Sequence, residues 1–212
     1  MHESHPSLTP RLGISACLLG EPVRFNGGHK RSALCEELAR HVEFVSFCPE
    51  QAIGLGTPRP AIRLEGTPEA AEARSRDGLA VGGALAEYAR RVAQRADTLD
   101  GFIFMQRSPS CGLQRVKVYP EGGGAPRAEG RGRFAAALCE ALPELPVEEE
   151  GRLHDPVLRE NFLTRVYAHA HWQALRQRGL SHSAIVAFHS RYKYQLLAHS
   201  PEHYRSLGRL LG

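Results

Sequence analysis

Three cysteines in this chain stand where their thiols could act together. Cys111 lies in Arg-Ser-Pro-Ser-Cys-Gly (residues 107–112), a tight turn after the apolar run 101–105. Cys17 falls near the end of the apolar run 12–19, and Cys48 follows the alternating stretch 42–47 and opens Cys-Pro-Glu. Each reads as a thiol at or just beyond the C-terminal end of a buried strand. Structural zinc takes four protein ligands in a closed tetrahedron, and no fourth cysteine or well-placed histidine follows this strand-end pattern. Three-ligand catalytic zinc more often uses histidine. An iron–sulfur cluster suits thiolates better. A cubane held by three cysteines leaves one iron open, a Lewis acid for a soft atom such as sulfur. No Cys-x-x-Cys is present, so the residues alone leave two readings: a three-cysteine cluster site, or three buried cysteines without a ligand.

Glu50 lies two residues after Cys48, and Ser108 and Ser110 precede Cys111. A carboxylate beside an open iron can serve as general base on water, and a hydroxyl can relay a proton or orient a substrate. Of the two serines, Ser110 is expected to bond turn amides.

The elements that must position these groups follow from pattern. Ser32 caps a helix over 33–41, with Leu34, Cys35, Leu38 and Val42 on one face, which puts Cys35 in the core. The stretch 54–63 is too rich in glycine and proline for regular structure, and a loop of that length is usually functional. A helix over 84–96 leads into the strand before Cys111, and 116–119 reads as a further strand. Residues 121–133 hold five glycines and three arginines and read as a mobile connector. A helix over 134–142 keeps Cys139 on its apolar side, and the proline- and acid-rich stretch 142–151 reads as a domain boundary. Beyond it, Asp155-Pro156 starts a helix that keeps Leu158, Phe162, Val166 and Ala170 on one face and ends at Gly179. Ser181 or Ser183 starts a second helix, and Ser200-Pro201 a third. Strands alternating with helices imply an α/β fold with a largely parallel sheet, whose site lies outside the carboxyl ends of its strands.

Composition sets bounds. The chain has 212 residues, five cysteines and a net charge of +4. No stretch approaches a membrane span, and residues 1–7 lack the cationic and apolar regions of a signal peptide, so a cytoplasmic protein with reduced thiols is expected. Residues 151–212 carry nine Lys/Arg against three Asp/Glu, while the preceding 150 residues balance at −2. A basic C-terminal segment on a near-neutral body fits an anionic partner such as RNA, or a solvated helical face.

Five ordered motifs carry a resemblance. Ser-Ala-Cys-Leu-Leu-Gly (15–20), Arg-Phe-Asn-Gly-Gly-His-Lys (24–30), Cys-Pro-Glu (48–50), Gly-Leu-Gly-Thr-Pro-Arg (54–59) and Ser-Pro-Ser-Cys-Gly (108–112) resemble the thiouracil desulfidase family over roughly residues 10–145. The resemblance implies a Rossmann-like domain, residues 1–147, binding a [4Fe-4S] cluster through Cys17, Cys48 and Cys111. It implies that the open iron takes the thiocarbonyl sulfur while water replaces it at carbon, with no net redox change. It assigns catalytic roles to Glu50 and Ser108. Arg24, His29, Lys30, Arg59 and Arg63 are candidates for contacting the substrate's base or phosphate.

Residues 152–212 resemble a helical domain often fused to this one. The pieces that match are Phe-His-Ser-Arg-Tyr-Lys-Tyr (188–194) and Leu-Ala-His-Ser-Pro (197–201), with Tyr204 and Leu207-Gly208 after them. Such a domain normally runs past this Leu-Gly, so a shortened form is expected here. The fused arrangement implies a desulfidase of 4-thiouridine in tRNA, with Arg176, Arg178, Arg191 and Lys193 meeting phosphates and Tyr192 or Tyr194 stacking on a base. The neighbouring expectations are the same chemistry on free thiouracil or a thiolated nucleoside, and an iron–sulfur RNA-binding regulator without turnover. No membrane or DNA partner is expected.

Overall fold

The computed structural model describes residues 8–95 and 98–211. The N-terminal segment read as lacking a signal peptide, the last residue of the expected helix 84–96, and Gly212 lie outside the described residues. In chain order the elements are β1 (Arg11–Ser15), α1 (Ala33–Leu38), β2 (Glu43–Phe47), α2 (Pro49–Ala52), β3 (Ile62–Glu65), β4 (Glu72–Ser75), α3 (Gly82–Ala93), β5 (Gly101–Phe104), β6 (Val116–Tyr119), β7 (Arg127–Gly130), α4 (Arg133–Ala141), β8 (Val147–Glu149), α5 (Pro156–Arg178), α6 (His182–Arg191), α7 (Lys193–His199) and α8 (Pro201–Leu211). Among the described residues no helix is long and apolar enough to cross a membrane.

The expected α/β fold is present. One sheet has the order β2-β1-β5-β8 with every pair parallel. Parallel strands are covered on both faces and therefore read as apolar runs. Leu12, Ile14 and Ile103 point to one face and pack with Leu34, Cys35 and Leu38 of α1 and with Phe162 and Val166 of α5. Phe102 and Phe104 point to the other, stacked at 4.2 Å over Leu85, Ala89 and Val92 of α3 and Phe134 and Leu138 of α4. Gly13 makes room for that aromatic layer, since a Cβ there would lie 2.3 Å from the Phe102 ring. A second sheet, β4-β3-β6-β7, is parallel only between β3 and β6 and adds Leu64, Val116 and Val118 to the core of α3 and α4.

Several expectations are corrected. The apolar run 12–19 is not one strand. It stops at Ser15, and residues Ala16–Leu19 form a 3-10 turn closed by Gly20 at φ 92. The connector 121–133 contains β7, because Gly123 and Gly124, both at positive φ, turn the chain back so that β7 pairs antiparallel with β6. The stretch 142–151 contains β8, which joins the parallel sheet beside β5, with the Pro146 carbonyl accepting from the Phe102 amide at 2.9 Å. The Gly/Pro-rich loop ends early, as β3 starts at Ile62. After Gly179 the described residues form three helices rather than two, with a break at Tyr192. Asp155 caps α5 as expected, its Oδ1 accepting from Val157 and Leu158 amides at 2.8 and 3.2 Å.

Placing a methyl at Gly13 forces it into Phe102, so Gly13→Ala is expected to cost roughly 1–3 kcal/mol. Gly83→Ala, at a position of α3 with open space around it, is expected to be neutral or stabilising. Urea unfolding midpoints of the two variants check the contrast.

Candidate active site

The carboxyl ends of β1, β2 and β5 open on one cavity of about 430 Å³. Three successive departures from the sheet supply its thiols: Cys17 in the 3-10 turn after β1, Cys48 as the residue capping α2 after β2, and Cys111 in the turn after β5. Glu50, Ser108, Arg24, Lys30 and Arg59 line the same cavity. His29 and Arg63 do not. His29 lies in an exposed loop, its Nδ1 accepting from the Arg31 amide at 3.2 Å. Arg63, on β3, bonds Glu65 at 2.6 Å and lies over the Tyr119 ring at 5.6 Å. Cys35, on α1, is fully buried and Cys139, on α4, packs against the α3–α4 core, and neither lines the cavity.

Glu50 is held at both oxygens. Ser110 donates to Oε1 at 2.8 Å and Arg59 Nε donates to Oε2 at 2.7 Å. The Arg59 guanidinium also donates to the Gly56 carbonyl at 3.0 Å, the Thr57 hydroxyl at 3.1 Å and the Val23 carbonyl at 2.8 Å. Its side chain is 5% exposed, so Arg59 positions Glu50 and keeps one Nη2 hydrogen beyond these four bonds. The two serines exchange their expected tasks in part. Ser108 Oγ accepts from the Ser110 and Cys111 amides at 3.2 and 3.0 Å, the turn-bonding role expected of Ser110. Fully buried Ser110 instead serves the carboxylate. Accepting two amides leaves the Ser108 proton unused, and its hydroxyl lines the cavity.

Four further residues belong here. Ser15 bonds the Cys111 thiol and accepts from the Met105 amide at 2.9 Å. Buried Glu149, on β8, accepts from the Leu113 and Gln114 amides at 2.8 and 3.3 Å and fixes the chain just after Cys111. Phe25 and Arg107 line the cavity. Ser15 and Phe25 fall within recognisable motifs, whereas nothing in the local pattern marks Glu149, since its stretch reads as a boundary.

Burial pushes all five thiols above their ordinary range. Cys17 and Cys35 are pushed up to about 11, with the Arg24 charge opposing the shift at Cys17. Cys111, the most buried of the three cavity thiols, rises further, opposed by its Ser15 hydrogen bond. Such a cavity disfavours bare thiolates and holds them only when a cation compensates. Among the described residues no trio of His, Cys, Asp or Glu closes on a single-ion position. The thiols ring a cavity instead, and this all-sulfur donor set fits a polynuclear centre with one position not filled by protein.

Residues 12–150 match the family model for 2-thiouracil desulfurase. The chain belongs to that family. The matched span takes in the three cavity cysteines, Glu50, Ser108 and Ser110. Among solved structures, the [4Fe-4S]-dependent thiouracil desulfidase TudS aligns with a TM-score of 0.57 and 28% identity, over 72% of this chain and 99% of that one. Uncharacterized protein YbbK of Bacillus subtilis (strain 168) is 33% identical over 107 residues, 47% of this chain and 71% of YbbK. Uncharacterized protein YbgA of Escherichia coli (strain K12) is 41% identical over 49 residues, 23% of this chain, and the match spans only 29% of YbgA.

Two outcomes follow from the site's geometry. Arg59→Met leaves the Glu50 carboxylate without its buried partner and is expected to cost roughly 3–5 kcal/mol, against roughly 1–3 kcal/mol for Ser110→Ala; denaturant unfolding measures both, and no loss in Arg59→Met would show that the pair does not hold this loop. The metal-free chain is expected to lose stability as pH rises from about 9 toward 11. The folded thiols keep their protons over that window while unfolded ones release them. Cys35→Ala should flatten that limb in part, as read by unfolding midpoints across pH.

Proposed function

We propose that this chain is a [4Fe-4S]-dependent desulfidase that replaces the sulfur of a thiolated pyrimidine by oxygen, with 4-thiouridine in tRNA as its substrate. The observation that carries the reading is one cavity receiving Cys17, Cys48 and Cys111 from three strand ends, together with a doubly held Glu50. The three cysteines would hold the cluster. When bound, it supplies an open iron, a soft Lewis acid toward a thiocarbonyl sulfur. Glu50 is the general base. Each of its oxygens accepts one protein donor and keeps a lone pair for a water proton. The water oxygen bonds to the ring carbon, the carbon–sulfur bond breaks, and sulfur departs as hydrogen sulfide with protons that water supplied. No electrons are exchanged, so no oxidant or reductant is needed. Ser108, with its proton unused, donates to a ring oxygen or nitrogen and orients the base.

The helices after Gly179 and the end of α5 support the choice of tRNA. Arg176, Arg178, Arg191 and Lys193 are all exposed. Tyr194 is 80% exposed, with Lys193 Nζ 5.8 Å from its ring centre, a pairing suited to phosphate and base contacts. Tyr192 is less suited, because its hydroxyl bonds the Tyr167 carbonyl at 3.3 Å and its ring packs on Phe188. The second reading, free thiouracil as substrate, is favoured by the family's own description.

Anaerobic reconstitution followed by incubation with 4-thiouridine-containing tRNA is expected to bleach the thiocarbonyl absorbance and release sulfide. Cys111→Ala should abolish both cluster binding and turnover. Glu50→Ala should keep its iron and lose about a hundredfold or more in turnover. Full activity in Glu50→Ala sinks the base assignment, and turnover of free thiouracil without turnover of tRNA favours the second reading.

A further inference from the structure

Ser15 is the last residue of β1 and is 2% exposed. A hydroxyl shut away from water there must find its bonds within the protein. Its oxygen accepts from the amide of Met105, the first residue beyond β5, at 2.9 Å. That bond uses a lone pair and leaves the hydroxyl proton to be placed. Ser15 and Cys111 line the same cavity, and the Cys111 sulfur is the partner that the hydroxyl meets there. A cysteine sulfur that has given up its proton to hold a metal can only accept. Toward such a sulfur Ser15 is a donor, with its oxygen anchored by the Met105 amide.

The three cavity sulfurs differ in what faces them. Cys17 has the Arg24 charge nearby. Cys48 has the Glu50 and Gln51 amides and the Arg59 charge. Cys111 is the most buried of the three, and Glu50 and the other two thiols all oppose negative charge on it. The group that eases such charge is the neutral hydroxyl of Ser15.

A hydrogen bond to a ligating sulfur withdraws electron density from the metal and favours the more reduced state of a cluster. A centre that acts as a Lewis acid and passes no electrons gains from this, since weaker thiolate donation leaves its open iron a better acceptor for sulfur. The geometry points to Ser15 as a positioning residue for the cluster: aimed by the Met105 amide, its hydroxyl donates to the ligating sulfur of Cys111 and raises the reduction potential of the centre. This inference rests on the [4Fe-4S] reading of the cavity and holds whichever thiolated compound is the substrate.

The full chain and its variants are reconstituted anaerobically and titrated with dithionite, and the reduced cluster is followed by electron paramagnetic resonance. Ser15→Ala is expected to lower the reduced-to-oxidised ratio about tenfold at a fixed potential, a shift of about 59 mV to the negative side for a one-electron couple. Ser15→Thr keeps a hydroxyl and should keep the midpoint of the unaltered chain. Where Ser15→Ala takes up no iron, Ser15→Thr against the isosteric Ser15→Val makes the same comparison at constant volume. Resonance Raman spectra of the unaltered chain give a reading independent of any variant. Its iron–cysteine stretching bands should move soon after transfer to D2O, because a hydroxyl proton exchanges faster than buried amides.

A purely structural role, in which the Met105 amide merely loses its acceptor, lowers the unfolding midpoint of metal-free Ser15→Ala and leaves the cluster potential unchanged. That result overturns the inference, as do stretching bands that stay fixed in D2O or a Ser15→Thr potential that moves as far as that of Ser15→Ala. An unaltered chain that takes up no iron overturns the cluster reading and this inference together. A loaded chain that shows the potential shift in Ser15→Ala yet releases no sulfide from any thiolated pyrimidine supports the inference and overturns the desulfidase reading alone.

Discussion

The arrangement depends on how a buried cavity can hold negative charge. Glu50 and three thiols share one cavity, and the one guanidinium hydrogen-bonded there among the described residues, that of Arg59, holds Glu50. The thiols have no comparable partner and stay protonated well above neutral pH. The cavity is therefore prepared for one anion and incomplete for three more. A centre that brings positive charge and accepts sulfur ligands completes it, and the protein side of that balance is already set by burial.

The sheet explains why these groups meet. In parallel strands each chain segment leaves the sheet at the same edge, so residues far apart in sequence converge there. Register makes this concrete: Ser15 pairs with Phe47 and Ile14 with Ile103, and so β1, β2 and β5 end nearly level. The next residues of each segment then face one cavity. Close packing keeps the edges level, since Phe102 lies on Gly13 and the Phe102–Phe104 pair is clamped by α3 and α4. β8 contributes from the far side of β5, where Glu149 bonds the two amides that follow the Cys111 turn.

Much of this was legible in the chain itself. The strand-end cysteines, the Ser32 and Asp155 caps and the α/β alternation follow from short-range pattern and appear as read, whereas the apolar run 12–19 divides at Ser15 into a strand and a 3-10 turn. What could not be read depends on contacts between distant segments. Composition gives 142–151 the proline and acid content of a domain boundary, and within it lies a strand, because β5 offers an unpaired edge. Glycines mark 121–133 as loose, yet they form the turn of a hairpin. Arg59 and Arg63 look alike as loop cations, and only the fold shows that one is consumed by Glu50 while the other pairs with Glu65 on a different surface.

The two serines of the Cys111 turn show how finely such a site divides its labour. Spaced two residues apart, they face different ways: Ser110 inward to Glu50 and Ser108 to the amides of its own turn. Because Ser108 satisfies those amides, the turn needs nothing more from Ser110, whose hydroxyl is free to hold the carboxylate. Because Arg59 holds the other oxygen, Glu50 cannot rotate away without breaking two bonds at once. Thus the carboxylate, the Ser108 hydroxyl and the Cys111 thiol are fixed relative to one another by a few hydrogen bonds local to the cavity. Orientation of the base and of the third thiol is a single structural property, and a change that disturbs one disturbs the other.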